Sequence, residues 1–435
     1  MAVHVLGAGL AGCEAAWQLA KRGISVKLYD VKPNKVEAAY HMKEFGELVC
    51  SNSLKADRLE NAAGLLKQEM RMLDSLVISA ADIHKVPAGG ALAVDRTAFA
   101  REITRRIEAL DNIEIICSEV THIPRGEHCI VATGPLTDGE LAEDIASLMG
   151  QEQLFFYDAS APLIAADSID REKVYAKSRY DKGEADYLNA PMDEEEYRAF
   201  YEALLQAETV ARKENEPLTL FEGCMPVEEM AKRGYLTLAY GMMKPMGLND
   251  PRTNKRPFAV VQLRMDDKDA RVYNLVGFQT NLKFPEQKRV FSMIPGLEQA
   301  EFLRYGVMHR NTFIHAPGHL NEQYQMKAYP NIFFAGQITG VEGYIESASS
   351  GLVAGLSMAK LLQGNEMPLF PTSTATGALC AHVANYVGKD YQPMSINYGI
   401  IDALDYRERN KKERYLAVSK RAITVMQEIK QQFEL

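Results

Sequence analysis

Several features are scarce or missing in this 435-residue sequence, and each absence narrows what the chain can be. The six cysteines stand far apart without any C-x-x-C pair, which argues against a disulfide framework and against a cysteine-based metal site. No apolar run approaches the roughly 20 residues of a membrane-spanning helix, and no signal-peptide pattern precedes the first predicted strand. A net charge of −9 disfavours a generally basic nucleic-acid binder, although it leaves room for a local basic groove. We therefore expect a cytoplasmic protein without a membrane partner or a bound metal.

The order of the predicted elements indicates an α/β protein with an insertion. Strands alternate with helices up to about residue 150, which is typical of a parallel sheet with flanking helices. Residues 154–290 instead hold longer strands mixed with helices, and a strand followed by glycine returns at 331–336. We predict a Rossmann-like domain in two parts, residues 1–150 and 326–435. An inserted α+β domain spans 151–325, and the second part ends in a long amphipathic helix from about Arg407.

Periodicity and capping signals predict individual helices. One apolar stripe continues from about Leu59 to Val77, which predicts a single helix. Asp95 is expected to cap a second helix, and Asp193 with Glu196 resembles a capping box. A helix of small residues, expected from Ser347 to Lys360, would let a neighbour pack very close to it.

The first thirty residues form the most informative stretch. A short apolar strand ends at the run Gly7-Ala8-Gly9-Leu10-Ala11-Gly12, a helix follows, and a second strand ends at Asp30. Strand, G-x-G-x-x-G, helix, strand and acid together make a complete dinucleotide-binding unit. Gly7 would form the tight turn, Gly9 would leave space for the pyrophosphate, and Gly12 would let the helix pack closely. Asp30 would accept a hydrogen bond from a ribose hydroxyl.

Two later segments favour FAD over NAD as the bound dinucleotide. One strand ends in Ala132-Thr133-Gly134, and another, Phe334-Ala335-Gly336-Gln337, precedes the small-residue helix that contains Gly351. The N-terminus of that helix would stabilise the anionic reduced flavin. No second G-x-G-x-x-G is present, so NADH or NADPH would bind only transiently. Tight packing of helix on sheet is the alternative explanation for the late segment.

Two cysteines differ from the other four. Cys13, Cys117, Cys129 and Cys380 sit in apolar patterns and are expected to be buried packing groups. Cys50 precedes a run of short polar residues, and Cys224 lies between glycine and proline just ahead of a predicted helix. Each is a candidate reactive thiol, with burial as the alternative. His309, followed by Arg310 and Asn311, is either a half-buried structural histidine or a ring stacked on a flat ligand.

These motifs, taken together, resemble a known family. They match the bacterial folate- and FAD-dependent tRNA (uracil-5-)-methyltransferases from end to end of the chain. The matching runs are Gly7–Gly12, Glu47–Ser53, Val86–Arg96, Lys177–Gly183, Phe221–Pro226, Tyr305–Thr312 and Gly340–Tyr344. Two runs depart mildly from the family pattern: Asp30-Val31-Lys32-Pro33 and His315-Ala316-Pro317.

The resemblance implies an activity and assigns roles. It implies synthesis of ribothymidine in the tRNA T-loop, with 5,10-methylenetetrahydrofolate as carbon donor and FAD reduced by NADH or NADPH. Cys50 would be the nucleophile that adds to uracil C6, and Cys224 would be its proton-handling partner. The reverse assignment of these two roles stays open. His309 would stack on the folate pterin. The remaining residues expected in that substrate pocket are Arg310, Asn311, Glu342, Tyr344 and Arg96.

The RNA contact and the oligomeric state stay open at this point. The target uracil must be turned out of its loop to reach the flavin. Basic residues that could hold RNA phosphates are Lys55, Arg58, Arg96, Lys177, Arg179, Lys182, Lys232 and Arg233. Three other interpretations remain: the larger FAD- and folate-using protein that modifies wobble uridine, a non-catalytic flavin-containing tRNA-binding protein, and a flavin oxidoreductase with a small substrate.

Overall fold

We analysed a computed structural model that describes residues 2–32, 42–150, 154–181, 184–210, 225–388 and 391–435. Strands and helices alternate near the N-terminus, as the sequence predicts. The helices are α1 (Leu10–Ala20), α2 (Ala62–Met72), α3 (Leu76–Ile83), α4 (Arg96–Glu108), α5 (Gly139–Met149), α6 (Glu194–Gln206), α7 (Val227–Ala231), α8 (Thr237–Tyr240), α9 (Phe284–Phe291), α10 (Tyr344–Leu362), α11 (Ala375–Asn385) and α12 (Lys411–Gln432). The strands are β1 (Ala2–Leu6), β2 (Ser25–Asp30), β3 (Ser53–Ala56), β4 (Lys85–Val86), β5 (Ala91–Val94), β6 (Ile113–Cys117), β7 (Cys129–Val131), β8 (Leu154–Ala159), β9 (Leu163–Ala165), β10 (Tyr175–Ala176), β11 (Tyr187–Met192), β12 (Ala259–Met265), β13 (Val272–Leu275), β14 (Phe302–Arg304), β15 (Met308–Phe313) and β16 (Ile332–Phe334).

A five-stranded parallel sheet carries the dinucleotide-binding unit. Its order is β16-β7-β1-β2-β6, and every neighbouring pair is parallel. Parallel strands are joined by crossover helices, so helices cover the sheet. The late strand β16 pairs with β7, which returns the chain to the first sheet after the insertion. The predicted α/β class, with a parallel sheet built from two parts of the chain, is confirmed.

A second, antiparallel sheet is built within residues 163–304. Its six strands follow the order β10-β11-β12-β13-β9-β14, and it has its own apolar core. Between the two sheets, β8 and β15 form a two-stranded antiparallel ribbon that pairs Asp158 with His309. This arrangement fits an inserted domain, and we keep the boundaries at residues 150 and 325 as a proposal.

Helix α1 packs against α10 at very short range. A Cβ built on Gly351 of α10 would lie 2.1 Å from the carbonyl oxygen of Ala11, and one on Gly355 would lie 2.8 Å from that of Ala15. Contacts under about 3 Å are not possible for a real side chain, so only glycine allows the two helices to approach this closely. The small-residue helix therefore holds the two parts of the first domain together.

The predicted single helix from Leu59 to Val77 is wrong. The chain forms α2 and α3 instead, with a break at Asp74, whose φ is +58°. Ser75 caps α3 through its hydroxyl, which accepts from the N–H of Ile78 at 3.2 Å. The buried carboxylate of Glu14 adds three hydrogen bonds, from the Ser75 hydroxyl and the N–H groups of Leu76 and Val77. These partners satisfy the free N–H groups at the start of α3, so a new helix can begin although the apolar pattern of the sequence continues without a break.

Other local predictions agree with the structure, with shifts at the ends. Asp95 caps α4, and Asp193 with Glu196 forms the capping box of α6. Helix α10 begins at Tyr344, three residues before the predicted start, and α12 begins at Lys411 behind its cap Asn410. Within the described residues, no helix combines the length and apolar character needed to cross a membrane.

Candidate functional site

A cavity of about 370 Å³ opens at the carboxyl ends of the parallel strands. The glycine turn, the Cys50 loop, the β8–β15 ribbon and the start of α10 all contribute to its lining. This is where an open α/β sheet binds ligands. The predicted site residues in the lining are Gly7, Ala8, Gly9, Leu10, Ala11, Asp30, Cys50, Gly134, His309, Asn311, Gly336, Gln337, Glu342 and Tyr344.

The glycines of the fingerprint divide into packing and ligand-facing positions. A Cβ on Gly12 would lie 1.8 Å from the carbonyl oxygen of Gly7, and one on Gly7, whose φ is +99°, would lie 2.5 Å from that of Ala132. A Cβ on Gly9 or Gly134 would meet no protein atom within 4 Å. Gly7 and Gly12 therefore shape the turn, while Gly9 and Gly134 border open space. This cradle fits the pyrophosphate of FAD.

Charge around the cradle also suits a dinucleotide. The first turn of α10 borders the cavity with Tyr344, Ile345 and Ser347, so its positive dipole end faces the site. Asp30 accepts hydrogen bonds from the N–H groups of Ala8 and Lys32, each at 2.8 Å, which fixes its carboxylate at the end of β2. The carboxylate oxygens can accept further hydrogen bonds, such as those of a ribose.

Cys50 is bonded to Tyr344, 294 residues later in the chain. The Tyr344 hydroxyl oxygen lies 3.0 Å from Cys50 Sγ and accepts from the N–H groups of Cys50 at 2.8 Å and Ser51 at 3.3 Å. Because these two N–H groups use the lone pairs of the oxygen, the hydroxyl hydrogen is left to donate to the sulfur. The phenol thus stabilises a thiolate at Cys50.

Cys50 is nevertheless a thiol at rest. Burial, together with the nearby Asp158 carboxylate, raises the pKa of Cys50 to about 11, although the Tyr344 hydrogen bond and the Arg96 charge act in the opposite direction. A thiol with such a pKa reacts only when a base removes its proton or when a ligand changes its surroundings. The sequence did not predict this protonated resting state.

Side chains from α4 and from the inserted sheet hold the Cys50 loop in place. Arg96 forms a bidentate ion pair with Asp266, at 2.9 and 3.1 Å, and donates to the carbonyl oxygens of Leu48 and Val49. Arg264 lies on β12 of the inserted sheet, and Asp266 directly follows that strand.

Asn52 makes the second connection between the loop and the inserted sheet. Its amide donates to the carbonyl oxygens of Val94 and Met265, and its side-chain oxygen accepts from Arg264 at 2.9 Å. Asn52 is completely buried, so these hydrogen bonds fix the loop firmly. The position of the Cys50 thiol therefore depends on how the inserted sheet docks against α4 and the Cys50 loop.

The β8–β15 ribbon forms another wall of the cavity. His309 and Asn311 line it, whereas Arg310, between them, lies on the other face with its guanidinium 4.1 Å above the ring of Phe155. This alternation is the two-residue period of a strand. Asp158, the β8 partner of His309, also lines the cavity. Sequence analysis missed Asp158 because only the pairing of the two strands brings it to the site.

A group of polar side chains surrounds the start of α10. Gln337 donates to the Glu342 carboxylate at 2.6 Å, and burial with the nearby Asp158 charge raises the pKa of Glu342. Lys55, in a strained backbone conformation with φ of +62°, donates to the carbonyl oxygen of Glu342 at 3.1 Å and pairs with buried Glu346 at 2.6 Å. Lys55 is thus engaged inside the protein and is not a simple RNA-phosphate contact.

Some predicted site residues lie elsewhere. Gly12 packs on the Gly7 turn and Gly351 packs on α1, and neither is in the described cavity lining. Arg310 and Arg96 are also absent from that lining, and Arg96 is paired with Asp266. Cys224 lies outside the residues that the structure describes. Its described neighbour Val227 donates to the carbonyl oxygen of Gln279, a cavity-lining residue.

The expectations for the remaining cysteines are mostly met. Cys13, Cys129 and Cys380 are buried, but Cys117 is exposed, contrary to prediction, because it ends the edge strand β6. The described residues contain no cluster of histidine, cysteine and carboxylate side chains that could hold a metal ion.

Comparison with known proteins identifies the family. Residues 2–366 match the family described as glucose inhibited division protein A. The chain is 57% identical over 427 residues to the methylenetetrahydrofolate–tRNA-(uracil-5-)-methyltransferase TrmFO of Bacillus pumilus, covering 98% of both chains. It is 57% identical over 429 residues to the same-named protein of Pelotomaculum thermopropionicum, covering 99% of this chain and 98% of that one. The chain belongs to the TrmFO family.

Solved structures of a more distant relative support the fold. GidA of Aquifex aeolicus superimposes with a TM-score of 0.68 at 15% identity, over 98% of this chain and 73% of that one. Membership of the TrmFO family therefore rests on sequence, and the structural likeness adds the fold alone.

Proposed function

We propose that this chain methylates C5 of a tRNA uridine, taking the carbon from 5,10-methylenetetrahydrofolate. Relatives named for this reaction match the chain over 98% of their length. In addition, the glycine turn that fits a dinucleotide and Cys50 line the same cavity. The proposed target is the T-loop uridine that becomes ribothymidine. Bound FAD, reduced by NADH or NADPH, would supply the hydride that converts the methylene carbon to a methyl group.

The observation that carries the proposal is the Cys50–Tyr344 pair at the cavity wall. Uracil C5 becomes nucleophilic only after a thiolate adds to C6, which places negative charge on the ring. Cys50 would add to C6, with Tyr344 donating to its sulfur as the thiolate forms. C5 would then bond to the methylene carbon as that carbon leaves the folate nitrogen, and loss of the C5 proton, addition of the hydride to the methylene carbon and expulsion of the thiolate would complete the exchange of hydrogen for methyl.

Proton transfer needs further groups of this chain. We propose Cys224, on sequence grounds, as the partner thiol that handles a proton at uracil. Asp158 and Glu342 line the same cavity as Cys50, and both raise the pKa of its thiol, so we propose that these two carboxyl groups influence its proton. His309 and Asn311 line the same cavity and are proposed to position the folate pterin.

The wobble-uridine protein is less well supported. The relatives that the chain matches over 98% of their length are named for methylation of uracil C5 and not for a wobble-position reaction. No observation on the described residues favours a flavin protein without catalysis, since Cys50 is held by a specific bond rather than by apolar packing alone.

The test is methyl transfer to a T-arm RNA. Purified protein is incubated with the RNA, NADPH and methylenetetrahydrofolate labelled in its methylene carbon. Label should appear in the C5 methyl group of the T-loop uridine and should be lost with Cys50→Ala. Methylation that continued with S-adenosylmethionine in place of folate would overturn the proposal. RNA containing 5-fluorouracil distinguishes the thiols, since the variant of Cys50 or Cys224 that still traps it covalently retains the nucleophile.

A further inference from the structure

Three aromatic rings, from α9, β14 and the residue that follows β14, form a parallel stack that ends at the surface. The ring of Tyr305 lies 4.8 Å from that of Phe284 at an interplanar angle of 13°, and 5.4 Å from that of Phe302 at 10°. Phe302 packs on the core of the inserted sheet, and Phe284, at the other end, is 49% exposed. We call these three rings the aromatic ladder. Its outer ring, Phe284, is half-exposed to solvent.

The ladder is anchored by a buried side chain and lies close in sequence to two residues that line the cavity. Gln287, a fully buried residue of α9, exchanges two hydrogen bonds of 2.8 Å with the backbone of Gly306, directly after Tyr305. Tyr305 precedes the cavity residue His309 by four positions, which span at most about 14 Å of chain. Gln279, also in the cavity lining, precedes Phe284 by five positions. Two independent chain segments thus connect the ladder to the site.

The surroundings of the ladder suit an unpaired nucleobase. Sequence-tolerant binding of single-stranded RNA combines aromatic faces, on which bases stack, with positive charge for the backbone. Three basic residues are exposed beside Phe284: Lys283, Lys288 and Arg289. Lys283 pairs with Glu208, and Arg289 pairs with Glu286. A folate or a pyridine nucleotide must bind inside the cavity to react, and the ladder is not part of the described cavity lining.

We propose that the aromatic ladder is a stacking platform for a loop base of the RNA substrate, next to the uridine that enters the cavity. The inference rests on the proposed function, since it takes the substrate to be an RNA loop. A base stacked on Phe284 would extend the ladder by one ring. It would also hold the loop open while the neighbouring uridine is turned out.

The test compares three variants of the flavin-bound protein. Phe284→Leu keeps the apolar contact but removes the π face, Phe284→Trp enlarges that face, and Tyr240→Leu removes another exposed aromatic ring as a matched control. The Kd for a T-arm hairpin is measured by fluorescence anisotropy. Phe284→Leu should raise Kd by about 5- to 150-fold, the range seen when a stacking side chain is removed. Phe284→Trp and Tyr240→Leu should leave it within about twofold of the parent, because one keeps the stack and the other lies outside it.

A second measurement needs no variant. T-arm hairpins carrying 2-aminopurine at single loop positions should show quenching by the parent protein at one position beside the target uridine. If Phe284→Leu bound the hairpin as tightly as Tyr240→Leu, or if no loop position were quenched, the proposed stacking of RNA on the aromatic ladder would be overturned. Methyl transfer by the parent protein would then still support the proposed function. A parent protein that neither binds nor methylates the hairpin would overturn the proposed function as well. Dimerisation that Phe284→Leu abolishes would assign the ladder to a second copy of the chain and overturn the RNA proposal.

Discussion

Tyr344→Phe should slow the chemistry of Cys50 without unfolding the protein. The substitution removes the hydroxyl that lies 3.0 Å from Cys50 Sγ and keeps the ring that fills the space. A hydrogen bond to a charged group contributes about 1.5–3 kcal/mol, so its loss should raise the pKa of Cys50 by about one to two units. Burial already raises that pKa to about 11, and the variant should be still less ionised at neutral pH.

The expected change in reactivity is smaller than the change in ionisation. A rise of one to two units leaves about 10- to 100-fold less thiolate at pH 8. A more basic thiolate is also a better nucleophile, with a Brønsted coefficient of about 0.4–0.5, which recovers about half of the loss on a logarithmic scale. The net result should be about 3- to 16-fold slower reaction of Cys50 with iodoacetamide.

The assay follows alkylation of the Cys50 peptide by mass spectrometry between pH 7 and 9.5. The parent rate should climb by nearly tenfold per pH unit over this range, since it lies below the pKa of about 11. Tyr391→Phe is the matched control because buried Tyr391 donates to the carbonyl oxygen of Thr339 at 2.7 Å, away from Cys50. A Tyr344→Phe protein that is alkylated as fast as the parent would refute the assignment of the hydroxyl as donor to sulfur.

Three further predictions follow from other contacts. Gly9→Val should yield a folded but colourless protein, because a Cβ at this position meets no protein atom but enters the space expected to hold the pyrophosphate, and its φ of −73° suits any residue. Flavin absorbance and a thermal melt of the same preparation check this prediction. Full flavin content would place the pyrophosphate elsewhere. Arg96→Lys should lower methyl transfer at least tenfold with little change in flavin content. Lysine cannot make both the bidentate ion pair with Asp266 and the hydrogen bonds to the loop carbonyl oxygens. Unchanged turnover would show that the pair does not position Cys50. Burial raises the pKa of Glu69 to about 7, so the folded state holds a proton that the unfolded state has lost above about pH 4.5, and stability should fall by about 2 kcal/mol between pH 5.5 and 8. Urea unfolding at the two pH values should show this loss in the parent and not in Glu69→Gln, and equal losses in both proteins would assign it to other groups.

Local signals predicted the parts of the fold that local chemistry determines. The glycine turn, the strand on each side of it and the caps at Asp95 and Asp193 depend on residues within one or two turns of chain. The break between α2 and α3 was missed because the apolar period continues across it. It depends on the carboxylate of Glu14, more than sixty residues earlier, and no period in the sequence carries that information.

The site was predicted in composition but not in connectivity. Family resemblance put Cys50, His309 and Tyr344 in one pocket, and the structure brings these three to one cavity. The bond between Cys50 and Tyr344 and the approach of Asp158 come from strand pairing and domain docking between distant segments. Arg96 was expected to touch substrate, yet its guanidinium is occupied by Asp266, because the sequence does not show which charges meet across a domain boundary.

Arg96, Asn52, Arg264 and Asp266 form a clamp on the Cys50 loop, and this clamp has a consequence for the protein as it is being made. Asp266 and Arg264 follow Cys50 by more than 200 residues, so a ribosome adding 5–20 residues per second completes the clamp about 10–40 s after Cys50 is synthesised. Tyr344, which bonds the sulfur, follows later still, and so does β16, which completes the parallel sheet. During translation, the emerging chain therefore carries an ordinary cysteine, and the arranged thiol appears only when the last fifth of the protein is under way.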